Sequence, residues 1–211
     1  MIIESFPVGP LGCNCSILAC EDTKEAVIID PGDEADKITS VLEKYDLKVK
    51  YLLHTHAHFD HISAATPLKR AGHGEILLHK DDKFLYDILE EQGRWFNMQI
   101  PKGDPIDKNF VHNDEIEFGK HQISVLHTPG HTPGSCCFCV KEKDLLFSGD
   151  TLFAGSIGRT DLPGGDMGQI EDSIKTHIMS MDTDYKIITG HGESTTLSNE
   201  MKRNQFLRSW A

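Results

Sequence analysis

The stretch YLLHTHAHFDHISAA, Tyr51 to Ala65, sets four histidines and an aspartate within eight residues, directly behind an apolar run. Imidazoles crowded in this way charge and repel one another on mild acidification unless they hold a cation. VKYLLH reads as a strand. In an extended chain residues two apart point the same way, so His56, His58 and Asp60 are expected to converge on one point. His61 faces away unless the chain turns, and a helix starting just after it lets it join Asp60 on a neighbouring ion. The pattern therefore suggests two adjacent cations.

Two ions need more donors than this stretch supplies, and three more stand where an apolar run stops beside glycine. HTPGHTPGS holds His131 in a Pro/Gly turn between two strands, LLFSGDT ends a strand on Asp150, and IITGHGE ends another on His191. Glycine at such places lets backbone approach closely, and a carboxylate such as Asp150 can bridge two metals with its two oxygens. Histidine and carboxylate donors without cysteine suit Zn²⁺, Fe²⁺ or Mn²⁺ and do not choose among them. His54, His79 and His127 also close strands but lie outside this set, and His73, His112, His121 and His177 read as surface residues.

The remaining composition is that of a globular chain. With 33 acidic against 21 basic residues in 211, the formal net charge is −12. That balance excludes a nucleic-acid backbone as the main partner, which needs basic patches, and disfavours anionic membrane. The N-terminus lacks the basic and apolar regions of a signal peptide, and no window resembles a membrane span. A cytoplasmic location is expected, with the six cysteines as reduced, structural thiols. Cys13 with Cys15, and Cys137 with Cys139, stand two apart as on one strand face.

Strand-like and helix-like runs alternate along the chain. IIESFPV, NCSILAC, EAVII, VKYLLH and EILLH read as strands, and DEADKITSVLEKYD and SAATPLKRAG as helices. DDKFLYDILEEQG reads as one helix and residues 94–110 as a long ordered loop. EIEF, QISVLHT, SCCFCV, DLLFSGD and DYKIITGHG are further strands, DMGQIEDSIKTHIMSM is a helix, and TLSNEMKRNQFLRSW a single final helix. The order predicts one mixed α/β domain over 1–211.

THAHFDH, TPGHTPGS, SGDTLF and GHG, in that order, resemble the metallo-β-lactamase fold superfamily. PVGPLGCNCSILAC, IIDPGDEADKI and FAGSIGRTDLPGGD resemble its short glyoxalase II-like branch of hydroxyacylglutathione hydrolase homologues. The resemblance implies an α/β fold, a four-layer αββα sandwich with the site at one edge of both sheets. By matching position His56, His58 and His131 hold a first divalent metal, and Asp60, His61 and His191 a second, with Asp150 bridging. Zinc is the expected ion. The helical C-terminal region with which full-length glyoxalase II enzymes hold glutathione is expected to be absent.

In such a site two metals lower the pKa of a shared water from about 15.7 toward 7. The resulting hydroxide attacks a small acyl thioester, with S-2-hydroxyacylglutathione the expected substrate, and Asp60 both ligates and takes the proton of the attacking water. The thiolate leaves without a general acid, because its conjugate acid has a pKa near 8.5. Thr55, Thr132 and Ser148 are candidate partners for the ligands' second ring nitrogens. Arg159, on a glycine-rich loop, either contacts a substrate carboxylate or orders the loop over the site, or else pairs with Asp161 or the backbone. Arg94, Trp95, Phe96 and Met98 either wall the pocket or pack into the core. The alternative function is a mono-iron persulfide dioxygenase of the same superfamily, whose members resemble this chain in the metal motifs and a GRTD loop.

Overall fold

Successive apolar side chains in each strand alternate between two faces, and that alternation builds the layers. The computed structural model describes residues 1–210. The first half of the chain runs β1 (Ile2–Val8), β2 (Cys13–Ala19), β3 (Glu25–Ile29), α1 (Ala35–Tyr45), β4 (Lys48–Leu53), α2 (Phe59–Ile62), α3 (Ala65–Arg70), β5 (Glu75–His79), α4 (Lys83–Asp87), α5 (Leu89–Trp95) and β6 (Lys108–Phe110). The second half runs β7 (Glu115–Phe118), β8 (His121–His127), β9 (Cys136–Val140), β10 (Leu145–Gly149), β11 (Leu152–Phe153), β12 (Ser156–Ile157), α6 (Met167–Ser173), β13 (Lys186–Thr189), β14 (Thr195–Thr196), α7 (Leu197–Arg203) and α8 (Gln205–Trp210).

Each half forms a six-stranded sheet, ordered β1-β2-β3-β4-β5-β6 and β14-β13-β10-β9-β8-β7. β3 to β6 are parallel, as are β10 and β13, and the other neighbours in the two sheets are antiparallel. Leu18, Val27, Ile29, Leu53 and Leu77 of the first sheet meet Phe138, Val140, Leu145, Phe147 and Ile188 of the second in a central core. Their neighbours Ile17, Ala26, Ile28, Leu52 and Ile76 face outward against α1 and α3, through Ile38, Leu42 and Leu68. Cys137, Cys139, Leu146 and Ile187 likewise meet Ile170, Ile174, Leu197 and Leu207 of the helices on the other side. The result is the expected αββα sandwich. All six cysteines are free and buried.

Four local expectations change. The helix after the histidine stretch begins at Phe59, not after His61, with His58 extended at its N-cap. Residues 83–95 form two helices, because the buried Gln92 amide donates to the Leu85 carbonyl (2.8 Å) and closes α4 there. The span 94–110 is accordingly helical at Arg94 and Trp95 and a strand at 108–110. The final helix breaks at Asn204, whose Oδ1 caps Phe206 N–H while its Nδ2 donates to the Ser156 carbonyl.

Candidate metal centre

The proposed donors leave the carboxyl ends of strands that run the same way. The segment after β4 supplies His56, His58, Asp60 and His61, the turn after β8 His131, the end of β10 Asp150, and the turn after β13 His191. A bridge between Cys13 and His191, with the Asn14 N–H donating to the Gly190 carbonyl at 2.8 Å, ties the two sheets together at this edge. Gly190 is needed because a Cβ there would collide with Asp150 Oδ1.

Two clusters form. In the first, His58 Nδ1 lies 3.1 Å from His56 Nε2 and 3.0 Å from His131 Nε2. In the second, His191 Nε2 lies 3.1 Å from His61 Nε2 and 3.1 Å from Asp60 Oδ2. Asp150 stands between them, with Oδ2 3.6 Å from His131 Nε2 and Oδ1 3.4 Å from His61 Nε2. The extended geometry read from sequence brings His56 and His58 together but not Asp60, because the early start of α2 turns Asp60 toward His61.

The outer ring nitrogens fix which inner atoms carry lone pairs. His131 Nδ1 donates to the Arg159 carbonyl (2.8 Å), His191 Nδ1 to the Leu11 carbonyl (3.0 Å), and His61 Nδ1 to Asp30 Oδ2 (3.0 Å). Thr55 Oγ1 donates to Asp30 Oδ2 and so accepts from His56 Nδ1 at 3.0 Å. His61 Nε2 and His191 Nε2 thus turn toward each other at 3.1 Å, a contact that needs a proton or a metal ion between the two nitrogens. Nitrogens on a tetrahedral metal at about 2.0–2.1 Å stand roughly 3.3 Å apart, close to the spacings seen.

The charge states agree. Burial, and then the surrounding imidazoles, push His56 well below its ordinary value, and burial with His131 takes His58 down to about 3. Burial opposes ionisation of Asp150 and Asp60, yet the neighbouring histidines, His61 foremost, hold both carboxyls low. Asp150 Oδ1 is buried without a hydrogen-bond partner. Burial opposes charge on His61 and His191, yet the neighbouring anionic groups raise both, so the second cluster draws positive charge. With His56 and His58 neutral and the carboxylates ionised beside them, the residues present fit divalent cations.

Of the three expected supporting hydroxyls, only Thr55 reaches a ligand. Thr132 bonds Asp82 and Ser135, and Ser148 bonds the Leu152 carbonyl, because both side chains turn into the protein. Asp30, Asp82 and Gln92 do the supporting work. Buried Asp82 accepts Ala57 N–H (2.8 Å), Gly134 N–H (2.6 Å) and the Thr132 hydroxyl (2.8 Å), tying the His56–His58 segment to the His131 turn. Gln92 accepts Phe59 N–H and donates to the Ala57 carbonyl. Asp82 is the third residue after strand EILLH, the last of LLHKDD, and only the signal of a polar residue just past a strand marks it in the sequence.

A cavity of about 190 Å³ opens onto His58, Asp60, His131 and Asp150, and Trp95, Phe96 and Arg159 line it. The Arg159 guanidinium is itself paired with Asp161, at 2.7 and 2.8 Å. Met98 packs against the helical core, and Arg94 does not line the cavity. His112 is exposed as expected, whereas His73, His121 and His177 are half-buried. His79 is buried and stacks on His127, with ring centroids 4.1 Å apart.

A family model described as the metallo-beta-lactamase superfamily matches residues 8–191. Hydroxyacylglutathione hydrolase GloC of Haemophilus influenzae is 42% identical over 99% of this chain and 99% of its own. The crystal structure of the B3 metallo-beta-lactamase BLEG-1 superposes with a TM-score of 0.90 at 36% identity, over 98% of this chain and 99% of that one. TTHA1623 in a di-iron-bound form superposes with a TM-score of 0.89 at 36% identity, over 97% and 100%.

Proposed function

Because the chain belongs to the metallo-beta-lactamase superfamily, we propose that it is a metal-dependent hydrolase of a small acyl thioester, with S-2-hydroxyacylglutathione as the first substrate to test. The observation that carries this reading is the approach of His61 Nε2 to His191 Nε2, 3.1 Å apart and flanked by Asp60 and Asp150. The relation to the hydroxyacylglutathione hydrolase GloC of Haemophilus influenzae supports the choice of thioester, and the di-iron-bound form of TTHA1623 supports a two-metal set without choosing zinc over iron.

On this reading His56, His58 and His131 hold one ion, Asp60, His61 and His191 the other, and Asp150 both. Divalent ions in that donor set supply an acidified water as nucleophile and a Lewis acid for the thioester carbonyl. Asp60, kept ionised by His61 and His191, takes the proton released as the carbonyl is attacked. The buried walls formed by Phe59 and Gln92 shield the reacting carbon on one side. The leaving sulfur departs as thiolate, so no side chain has to protonate it, and among the cavity-lining residues no acid stands apart from the cluster. We read residues 1–211 as a single domain.

His58→Ala tests the assignment. Elemental analysis should show wild-type protein with about two metals per chain and thiol release from S-lactoylglutathione. The variant should lose metal and turnover together while keeping its secondary structure. Unchanged turnover in the variant refutes the site. One iron per chain, with oxygen uptake on glutathione persulfide and no thiol release, replaces the hydrolase by the dioxygenase.

A further inference from the structure

Resting on the thioesterase reading, we propose that the thiol-side arm of the substrate is uncharged and apolar, held in a subsite between α5, the β1–β2 turn and the loop after β12. The cavity of about 190 Å³ has the candidate donors His58, Asp60, His131 and Asp150 on one side. Its other walls are Leu11, Phe59, Trp95, Phe96 and Leu162. Leu11, Trp95 and Phe96 are 43%, 49% and 49% exposed, an unusual outlay of large apolar side chains around a single opening. The Phe59 and Phe96 rings pack at 5.2 Å, so the aromatic wall is continuous from the cluster to the rim.

Charge points the same way. Arg159 is the one cation lining the cavity, and its Nε and Nη2 are both committed to Asp161. A carboxylate entering this wall would lose water and would have to compete with Asp161 for Arg159. The cavity is smaller than the roughly 300–1,000 Å³ that takes a drug-sized ligand, so only a short arm is covered. A 2-hydroxyacyl group is short enough to remain at the donors. The arm that passes Trp95 and Phe96 to solvent is then the thiol, whose sulfur must leave in that direction once the bond to the acyl carbon breaks and water supplies the new C–O bond.

The experiment holds the acyl group as lactoyl and varies the thiol through propyl, butyl and pentyl chains, with glutathione as the charged comparison. kcat/KM should climb about three- to fourfold per methylene until the subsite is filled, and the longest member should exceed the glutathione thioester. Trp95→Ala and Phe96→Ala should flatten the climb, losing tenfold or more on the pentyl substrate, with wild-type metal content showing that the centre is intact. A flat series, a glutathione thioester cleaved at least as well, or a climb that survives in both variants overturns the subsite. So does a dimer in solution that Trp95→Ala dissociates, since the rim would then be an interface between copies. Failure to cleave any thioester with metal bound overturns the hydrolase reading itself, a different result from turnover without thiol preference.

Discussion

Asp82 shows how much of the centre depends on residues that never touch substrate. Its carboxylate collects two backbone N–H groups and a hydroxyl from the two segments that carry His56, His58 and His131. Burial pushes it above its ordinary value, while those three donors pull it back. Asp82→Ala leaves the donors buried without acceptors, each at a cost of about 1–3 kcal/mol. Urea unfolding should show a loss of roughly 3 kcal/mol, and chelator competition a metal affinity weakened about 10–100-fold. Wild-type affinity in a destabilised variant would confine Asp82 to a folding role. Gln92 acts beside it on the Ala57 carbonyl and Phe59 N–H, so the peptide groups between His56 and His58 are held from both sides.

At the scale of elements, β5 and β8 end in histidines that stack face to face at the rim between the two sheets, His79 on His127. Burial, and then the His127 ring, take His79 down to about 4. The unfolded chain protonates this group near 6.5, whereas the folded one resists until about 4. Its contribution is therefore complete above pH 6.5 and is lost as the pH falls from there toward 4. Denaturation of metal-free protein at several pH values should show His79→Gln losing about 1–3 kcal/mol less than wild type between pH 7 and pH 4. Equal losses would assign the acid limb to other groups. The helix breaks at Ile88 and Asn204 have the same character: a side-chain amide takes a carbonyl or caps an N–H, and the helix stops.

Across the whole molecule, the centre joins two sheets that otherwise meet through an apolar core. The first sheet contributes His56, His58, Asp60 and His61, and the second His131, Asp150 and His191, so bound metal is expected to cross-link the halves. An ion that binds only the folded chain adds about 4 kcal/mol when its free concentration is 1,000 times Kd. Chelated protein should therefore melt at a lower temperature, and the melting point should rise again with added Zn²⁺, Mn²⁺ or Fe²⁺. A melting temperature indifferent to metal would contradict the donor set. At this edge Gly190 admits the close approach of Asp150.

Strand alternation and the seven candidate donor positions are legible in the residues, because both depend on local spacing. Period two in SILAC, AVII and CCFCV decides which side chains face which layer, and each candidate ligand follows an apolar run beside glycine or in a tight histidine cluster. Local pattern could not show the start of α2 at Phe59, since His58 caps the helix without the usual side-chain oxygen. Nor could it show that Asp82 and Gln92, rather than Thr132 and Ser148, brace the candidate centre, whereas the spacing of Arg159 and Asp161 admits the pair that forms. Those outcomes depend on which groups come within 3 Å after residues up to 52 positions apart fold together, and a buried donor takes whichever acceptor the packing leaves in reach. Composition and spacing thus determined the layers and the donor types, while tertiary packing decided ring tautomers, the division of donors into two clusters and the apolar wall beside them.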